Sequence, residues 1–164
     1  MDLQDRAIAA LQERFASEFL GTGEHAGQKW AYVGHTRIVE VLTFLRDQLG
    51  CNMLTDLTAV DHYNQGQAER FSIVYQLFST KENQYFRLKT WVSESNPEID
   101  TASDVWKAAP WAEREVWDMF GIRFRGHRDL RRILLPFEYS GHPLRKDYPL
   151  IGHGERQDFP RYVK

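Results

Sequence analysis

The sequence predicts an α+β fold: a two-layer domain with a mixed β-sheet and helices packed on it, followed by an extended C-terminal arm. Three observations carry this. Residues 3–20 repeat apolar side chains at helical spacing, residues 71–92 alternate them at strand spacing, and beyond residue 122 neither period lasts. The division is therefore a compact domain over 1–122 and an arm over 123–164.

Taken in order, Leu3, Ala7, Leu11, Phe15 and Phe19 step by four, which predicts an amphipathic helix over 3–20 stopped by Gly21. The glycine-rich residues 21–27 read as a turn, and 30–33 as a short strand. Thr36 is placed to cap a second helix with Ile38, Val41, Leu42, Leu45 and Leu49 on one face and Gly50 at its end. A strand over 53–60 completes a β-α-β unit, whose two strands run parallel if they share a sheet. Phe71, Ile73, Tyr75 and Leu77 alternate, as do Phe86, Leu88, Thr90 and Val92, so these two strands form a hairpin around residues 81–83. Asn96-Pro97 ends it, and Thr101 or Ser103 starts a short helix over Val105 and Trp106. Pro110 then suits the first turn of a helix whose apolar face is Ala112, Val116, Met119 and Phe120, with Gly121 as a left-handed stop. Arg114 and Asp118 are spaced to pair on its outside.

Composition removes several function classes. There is one cysteine, Cys51, so the chain can hold neither an internal disulfide nor the thiolates of an iron–sulfur cluster. No apolar run approaches a membrane span, and the acidic start is not a signal peptide, which implies a cytoplasmic chain that meets membranes through partners only. Gly21-Thr22-Gly23 follows a helix rather than a strand and is no dinucleotide loop. The six histidines lack the tight pairing of a metal-ligand helix. Glu113, Glu115 and Asp118 have no nucleophile beside them, so ion pairing with Arg114, Arg131 or Arg132 is their expected role.

Charge is unevenly spread. Residues 1–120 hold 11 Lys/Arg against 18 Asp/Glu, a net −7, and residues 121–164 hold 10 against 5, a net +5. Within the arm, Arg131-Arg132 and Arg145-Lys146 interrupt an apolar backbone fixed by Pro136, Pro143 and Pro149. Such a segment needs a surface to lie on. Its stems can pack while its cations seek carboxylates or carbonyls of another chain. Loops that track phosphates would carry less interleaved Leu, Ile and Pro, so protein partners are favoured over nucleic acid. A basic-arm nucleic-acid or regulatory module is the alternative of another class.

Three runs also carry a family resemblance: residues 113–122 (Glu113 to Ile122), residues 129–136 (Asp129 to Pro136) and residues 141–149 (Gly141 to Pro149). Together they resemble the signature of the 30 kDa (C-type) subunit family of proton-pumping NADH:quinone oxidoreductase (respiratory complex I). Residues 56–61 resemble the family less specifically. The resemblance implies a non-catalytic, cofactor-free scaffold subunit in the hydrophilic arm of the complex, on the cytoplasmic side of the cell inner membrane in a bacterium. The activity belongs to the whole complex: NADH oxidation, electron passage through flavin and iron–sulfur clusters in partner subunits, quinone reduction and proton translocation. The implied partners are the large quinone-site subunit and the iron–sulfur subunits. A related membrane-bound hydrogenase or other-donor dehydrogenase is the alternative assembly. The expected interface residues are Trp117, Asp118, Arg131, Arg132, Leu135, His142, Leu144, Arg145, Lys146 and Tyr148, with Leu150 and Phe159 as further apolar anchors and the segment from Phe137 onward ordered by the partner.

Overall fold

The computed structural model describes residues 2–155. The elements in chain order are α1 (Leu3–Arg14), β1 (Phe19–His25), β2 (Gln28–Val33), α2 (Ile38–Asp47), β3 (Met53–Asp61), β4 (Phe71–Ser79), β5 (Gln84–Val92), β6 (Glu98–Asp100), α3 (Ala109–Phe120) and β7 (Arg123–Arg125). Five strands form one mixed sheet in the order β1-β2-β5-β4-β3, and β6 and β7 form a small parallel pair. The α+β fold with a mixed sheet is as the sequence predicts.

Alternation decides which way the sheet faces. Phe71, Ile73, Tyr75 and Leu77 of β4 and Phe86 and Leu88 of β5 are buried in one cluster with Leu3, Ala7 and Leu11 of α1, Ile38, Val41 and Leu42 of α2, and Val116 of α3. The helices therefore cover that face. On the other, Val74, Gln76, Arg87, Lys89 and Trp91 remain half-buried.

The structure differs from the sequence reading at several places. Helix α1 ends at Arg14 rather than running to residue 20. Phe15 leaves helical geometry at the C-cap and buries its ring against Phe44, 5.5 Å between centroids. The i+4 step that continued through Phe19 belongs to strand β1 instead. The glycines beyond it are not a loop: Gly23 pairs with Trp30, and a Cβ there would lie 2.5 Å from the indole, so the missing side chain is the seat for that ring. The turn is only Ala26 and Gly27, both at positive φ, the pattern of a two-residue hairpin loop.

Helix α2 begins after Arg37 with no side-chain cap, so Thr36 does not serve. Strands β2 and β3 do run the same way, because β2 is parallel to β5 while β5–β4 and β4–β3 are antiparallel, yet two strands lie between them. No helix forms over 103–106; that stretch is turns that follow strand β6. Finally, β7 bonds to β6, which ties residues 123–125 to the compact body and places the irregular arm after Arg125.

Candidate partner interface

Helix α3 organises the region. Pro110 stands in its first turn and Gly121, at φ 75°, ends it. The last carbonyls of a helix have no partner within it, and here the arm supplies them. The His142 ring donates through Nδ1 to the Asp118 carbonyl at 3.0 Å, the Leu144 amide to Met119 at 3.1 Å, and Arg145 Nε to Phe120 at 2.5 Å. Gly121 leaves room for this: a Cβ there would meet the His142 ring at 2.7 Å and Arg145 Nη2 at 2.8 Å. Burial lowers the pKa of His142, and Arg145 and Arg132 push the same way, so the ring stays neutral at pH 7.

Asp118 is the second anchor. It is fully buried rather than exposed, so the expected surface pair with Arg114 does not form. One carboxylate oxygen accepts from Arg132 at 2.6 Å; the other accepts from the amides of Ile133, Leu134 and Leu135 at 2.9–3.0 Å. Burial alone would raise this carboxyl, but three amides and a guanidinium outweigh it and hold the group below its ordinary range. Arg114 turns instead to the carbonyls of Arg131 and Arg132.

A third anchor joins the arm to the sheet. The Arg70 side chain is 4% exposed and meets Asp61 through two nitrogens, Glu94 at 2.5 Å and Asp147 at 2.5 Å, while the Lys146 amide donates to Asp61 at 2.8 Å. Arg70 holds the Asp147 carboxyl below the usual range. Sequence reasoning missed Arg70. It stands just before strand β4 with no spacing signal, and its partner Asp147 is 77 residues away.

Of the predicted residues, the structure brings Trp117, Asp118, Arg132, His142 and Arg145 into one seam. The half-buried Trp117 ring lies 5.5 Å from the Arg132 guanidinium and edge-on to His142. Lys146 joins through its backbone, and Leu135 packs against the core of its own domain. Tyr148 shares a hydroxyl contact of 2.6 Å with Tyr139 and donates to Glu155. Arg131 is exposed and pairs with Asp129. The guanidinium groups of Arg132 and Arg145 were expected to seek another chain; they are committed within this one. A buried carboxylate and an uncapped helix end offered stronger acceptors at once.

What remains outward is apolar. Phe137 is 84% exposed, Leu150 95% and Leu134 61%, and Trp111, Leu144 and Ile151 are exposed with them. Phe159 lies outside the described residues. Among the described residues no three His, Cys, Asp or Glu side chains gather to hold a metal, and no helix is long and apolar enough to cross a membrane. Burial pushes the Cys51 thiol up to about 12, so it is not a thiolate ligand. His127 donates to the Pro110 carbonyl and accepts from the Asp129 amide, a turn-stabilising role.

The family profile described as "Respiratory-chain NADH dehydrogenase, 30 Kd subunit" matches residues 31–154. The chain belongs to this family. It is 44% identical over 148 residues to the C-type subunit of the NADH-quinone oxidoreductase of Geobacter sulfurreducens, covering 90% of this chain and 91% of that protein. It is 47% identical over 148 residues to the C-type subunit of the same enzyme from Citrifermentans bemidjiense, with the same coverage. Among solved structures, the trypsin-resistant fragment (1-134) of Nqo5 superposes with a TM-score of 0.68 at 32% identity, covering 76% of this chain and 99% of that one. A chain of the membrane-bound sulfane sulfur reductase, an archaeal respiratory membrane complex, superposes at 0.75 over 98% of this chain and 95% of that one. At 22% identity that second likeness speaks for the fold alone. All three runs that carried the resemblance, from residue 113 to residue 149, fall within the matched span.

Proposed function

We propose that this 30 Kd-family chain is a non-catalytic scaffold subunit of a NADH:quinone oxidoreductase. One observation carries the reading: the arm spends its polar groups inward on α3 and the sheet while Leu134, Phe137, Leu144, Leu150 and Ile151 face outward. Exposed apolar side chains of this number on the arm of an otherwise well-packed domain are what a protein partner would cover. The occupant is the large quinone-site subunit, with iron–sulfur subunits held in register beside it. Flavin and iron–sulfur clusters belong to those partners, and this chain contributes fixed geometry between them. It meets the membrane through its partners, on the cytoplasmic side of the cell inner membrane in a bacterium. An other-donor membrane-bound complex is the second reading; the identities of 44–47% to NADH-quinone oxidoreductase subunits weigh for the first. The test is native purification from membranes through a tag on this chain. Co-purification of a large quinone-site subunit with NADH-oxidising subunits is expected, with the isolated chain colourless. A flavin or cluster absorption near one per chain in the isolated protein would overturn the scaffold role.

A further inference from the structure

The side of the sheet that carries no helix is not an ordinary solvated face. On β2 and β5, Tyr32 and Trp91 lie stacked at 5.5 Å with 6° between their planes, and His62 leans on Trp91 at 5.0 Å. The Lys89 ammonium sits 4.0 Å above the Trp30 ring and 5.6 Å from Tyr32. Beside them Val60, Val74 and Tyr85 rim a shallow hollow of ≈ 560 Å³ with Gln76, Arg87, Lys89 and the exposed carboxylate Asp56.

Among the described residues, two cations face one carboxylate, Asp56, in this hollow, and neither cation pairs with it. Arg87 donates to two neutral amide oxygens, Gln76 at 2.9 Å and Gln28 at 2.9 Å. Neither Arg87 nor Lys89 forms a salt bridge there, although most arginines of this chain do. Burial lowers the Lys89 pKa and the neighbouring Arg87 charge adds to it, which is the environment of an ammonium awaiting a counter-ion.

We infer that the open sheet face is a second docking surface, and that it takes an acidic segment of a neighbouring protein subunit, with a carboxylate between Arg87 and Lys89 and apolar side chains against Tyr32, Trp91 and Val74. The inference rests on the chain being a subunit of a larger complex. Other occupants fit less well. A second copy of this face would set two cations and one carboxylate against the same set, a net like charge. The residues after Glu155 contain two Arg and one Lys against one Asp, the wrong sign to fill the site. Two cations are too few to hold a lipid surface. Nucleic acid would need a groove of cations that tracks its backbone, and this hollow has two cations beside a carboxylate.

A zero-length carbodiimide tests this, because it joins an amine only to a carboxylate in contact with it. In the intact purified complex, Lys89 should couple to an Asp or Glu of another subunit, and hydroxyl-radical labelling of Trp91 and Met53 should fall several-fold relative to the free chain. The Arg87→Glu/Lys89→Glu variant should lose that protection while Phe137 stays protected in the assembled complex; Arg87→Gln/Lys89→Gln, which keeps the polarity, should lie between. Thermal melts of the free variants establish that the domain is intact. Full labelling of Trp91 in an assembled complex overturns the docking site and leaves the scaffold role standing. So does protection that survives charge reversal, or coupling to a second copy of this chain. A chain that co-purifies with no large subunit removes both.

Discussion

Helix α3 carries two fully buried carboxylates that face different parts of the molecule, Glu113 toward the compact body and Asp118 toward the arm. Glu113 accepts from the Thr101 and Ser103 hydroxyls and the Ala102 amide. Burial raises its pKa, and these neutral donors do not overcome it. Asp118 meets a guanidinium and three consecutive amides, which do. Both carboxyls are shielded from solvent, yet they shift in opposite directions: the cost of desolvation prevails at Glu113, while three amides and a guanidinium together prevail at Asp118. The body is held by apolar packing with Glu113 as a local clamp. Among the described residues the arm has no apolar core of its own and is held by charge, by capping of the helix end and by Leu130 and Leu135 against the core of the body.

That contrast is breakable. The largest expected effect is at Asp118. Asn in its place must aim an NH2 either at Arg132 or at three amide donors, leaving a largely buried guanidinium or buried amides unmatched. Asp118→Asn should cost about 3–5 kcal/mol in denaturant unfolding. A loss within about 1 kcal/mol would mean the arm is not fastened there. Arg70→Met should come next, at about 2–4 kcal/mol, because it strands the buried Asp61 carboxylate. Hydrogen exchange should show residues 142–148 opening in that variant before the sheet does. Trp117→Ala should cost about 1–2 kcal/mol, since a half-buried ring loses only part of the area a fully buried one would.

Glu113→Gln sharpens the comparison from the other side. Gln can accept from the Ala102 amide and donate to the two hydroxyls, so the change should be within about 1 kcal/mol. The pH dependence should separate the pair as well. Asp118 has a lowered folded-state pKa, so its stabilisation is present above the ordinary Asp value and is lost as pH falls through the folded value. Glu113 has a raised one, so its contribution is present below the ordinary Glu value and is lost as pH rises through the folded value. Acid titration of wild type and Asp118→Asn, followed by unfolding at each pH, should show the acid-limb loss of stability shrink in the variant. The smallest stability effect belongs to Phe137→Asp, near zero because the ring is 84% exposed; association with the large subunit should nonetheless weaken.

The sequence made the body legible because apolar periodicity and burial are the same phenomenon. The β4–β5 hairpin, α2 and the Gly121 stop were all readable from it. It misled at residues 15–25, where a four-residue step ran through Phe15 and Phe19 across an element boundary, and where Gly23 marks a seat for an indole rather than a turn. In the arm, composition identified an unusual segment but not its direction. Arg132 and Arg145 look partner-seeking in sequence because their acceptors are helix carbonyls and a carboxylate 14–25 residues distant. Arg70 could not be found at all without the fold. The outward residues, Phe137 and Leu150 above all, carry no periodic mark.

The strand order has a consequence in time. Strand β5 lies between β2 and β4, so residues 28–33 have no sheet to join until residues 84–92 exist. During synthesis from the N-terminus, the β1–β2 hairpin waits while β3 and β4 pair beside it. Strand β5 then closes the gap by extending the β4 hairpin on one edge and capturing β2 on the other. The first pairing is local and the second joins Trp30 to Arg87, so loop closure makes the capture of β2 the slower event. Pulsed hydrogen exchange during refolding should find the amides between β4 and β5 protected before those between β2 and β5. Until that moment both halves present bare strand edges, and a nascent chain stalled before Gln84 is the form of this protein most exposed to mispairing.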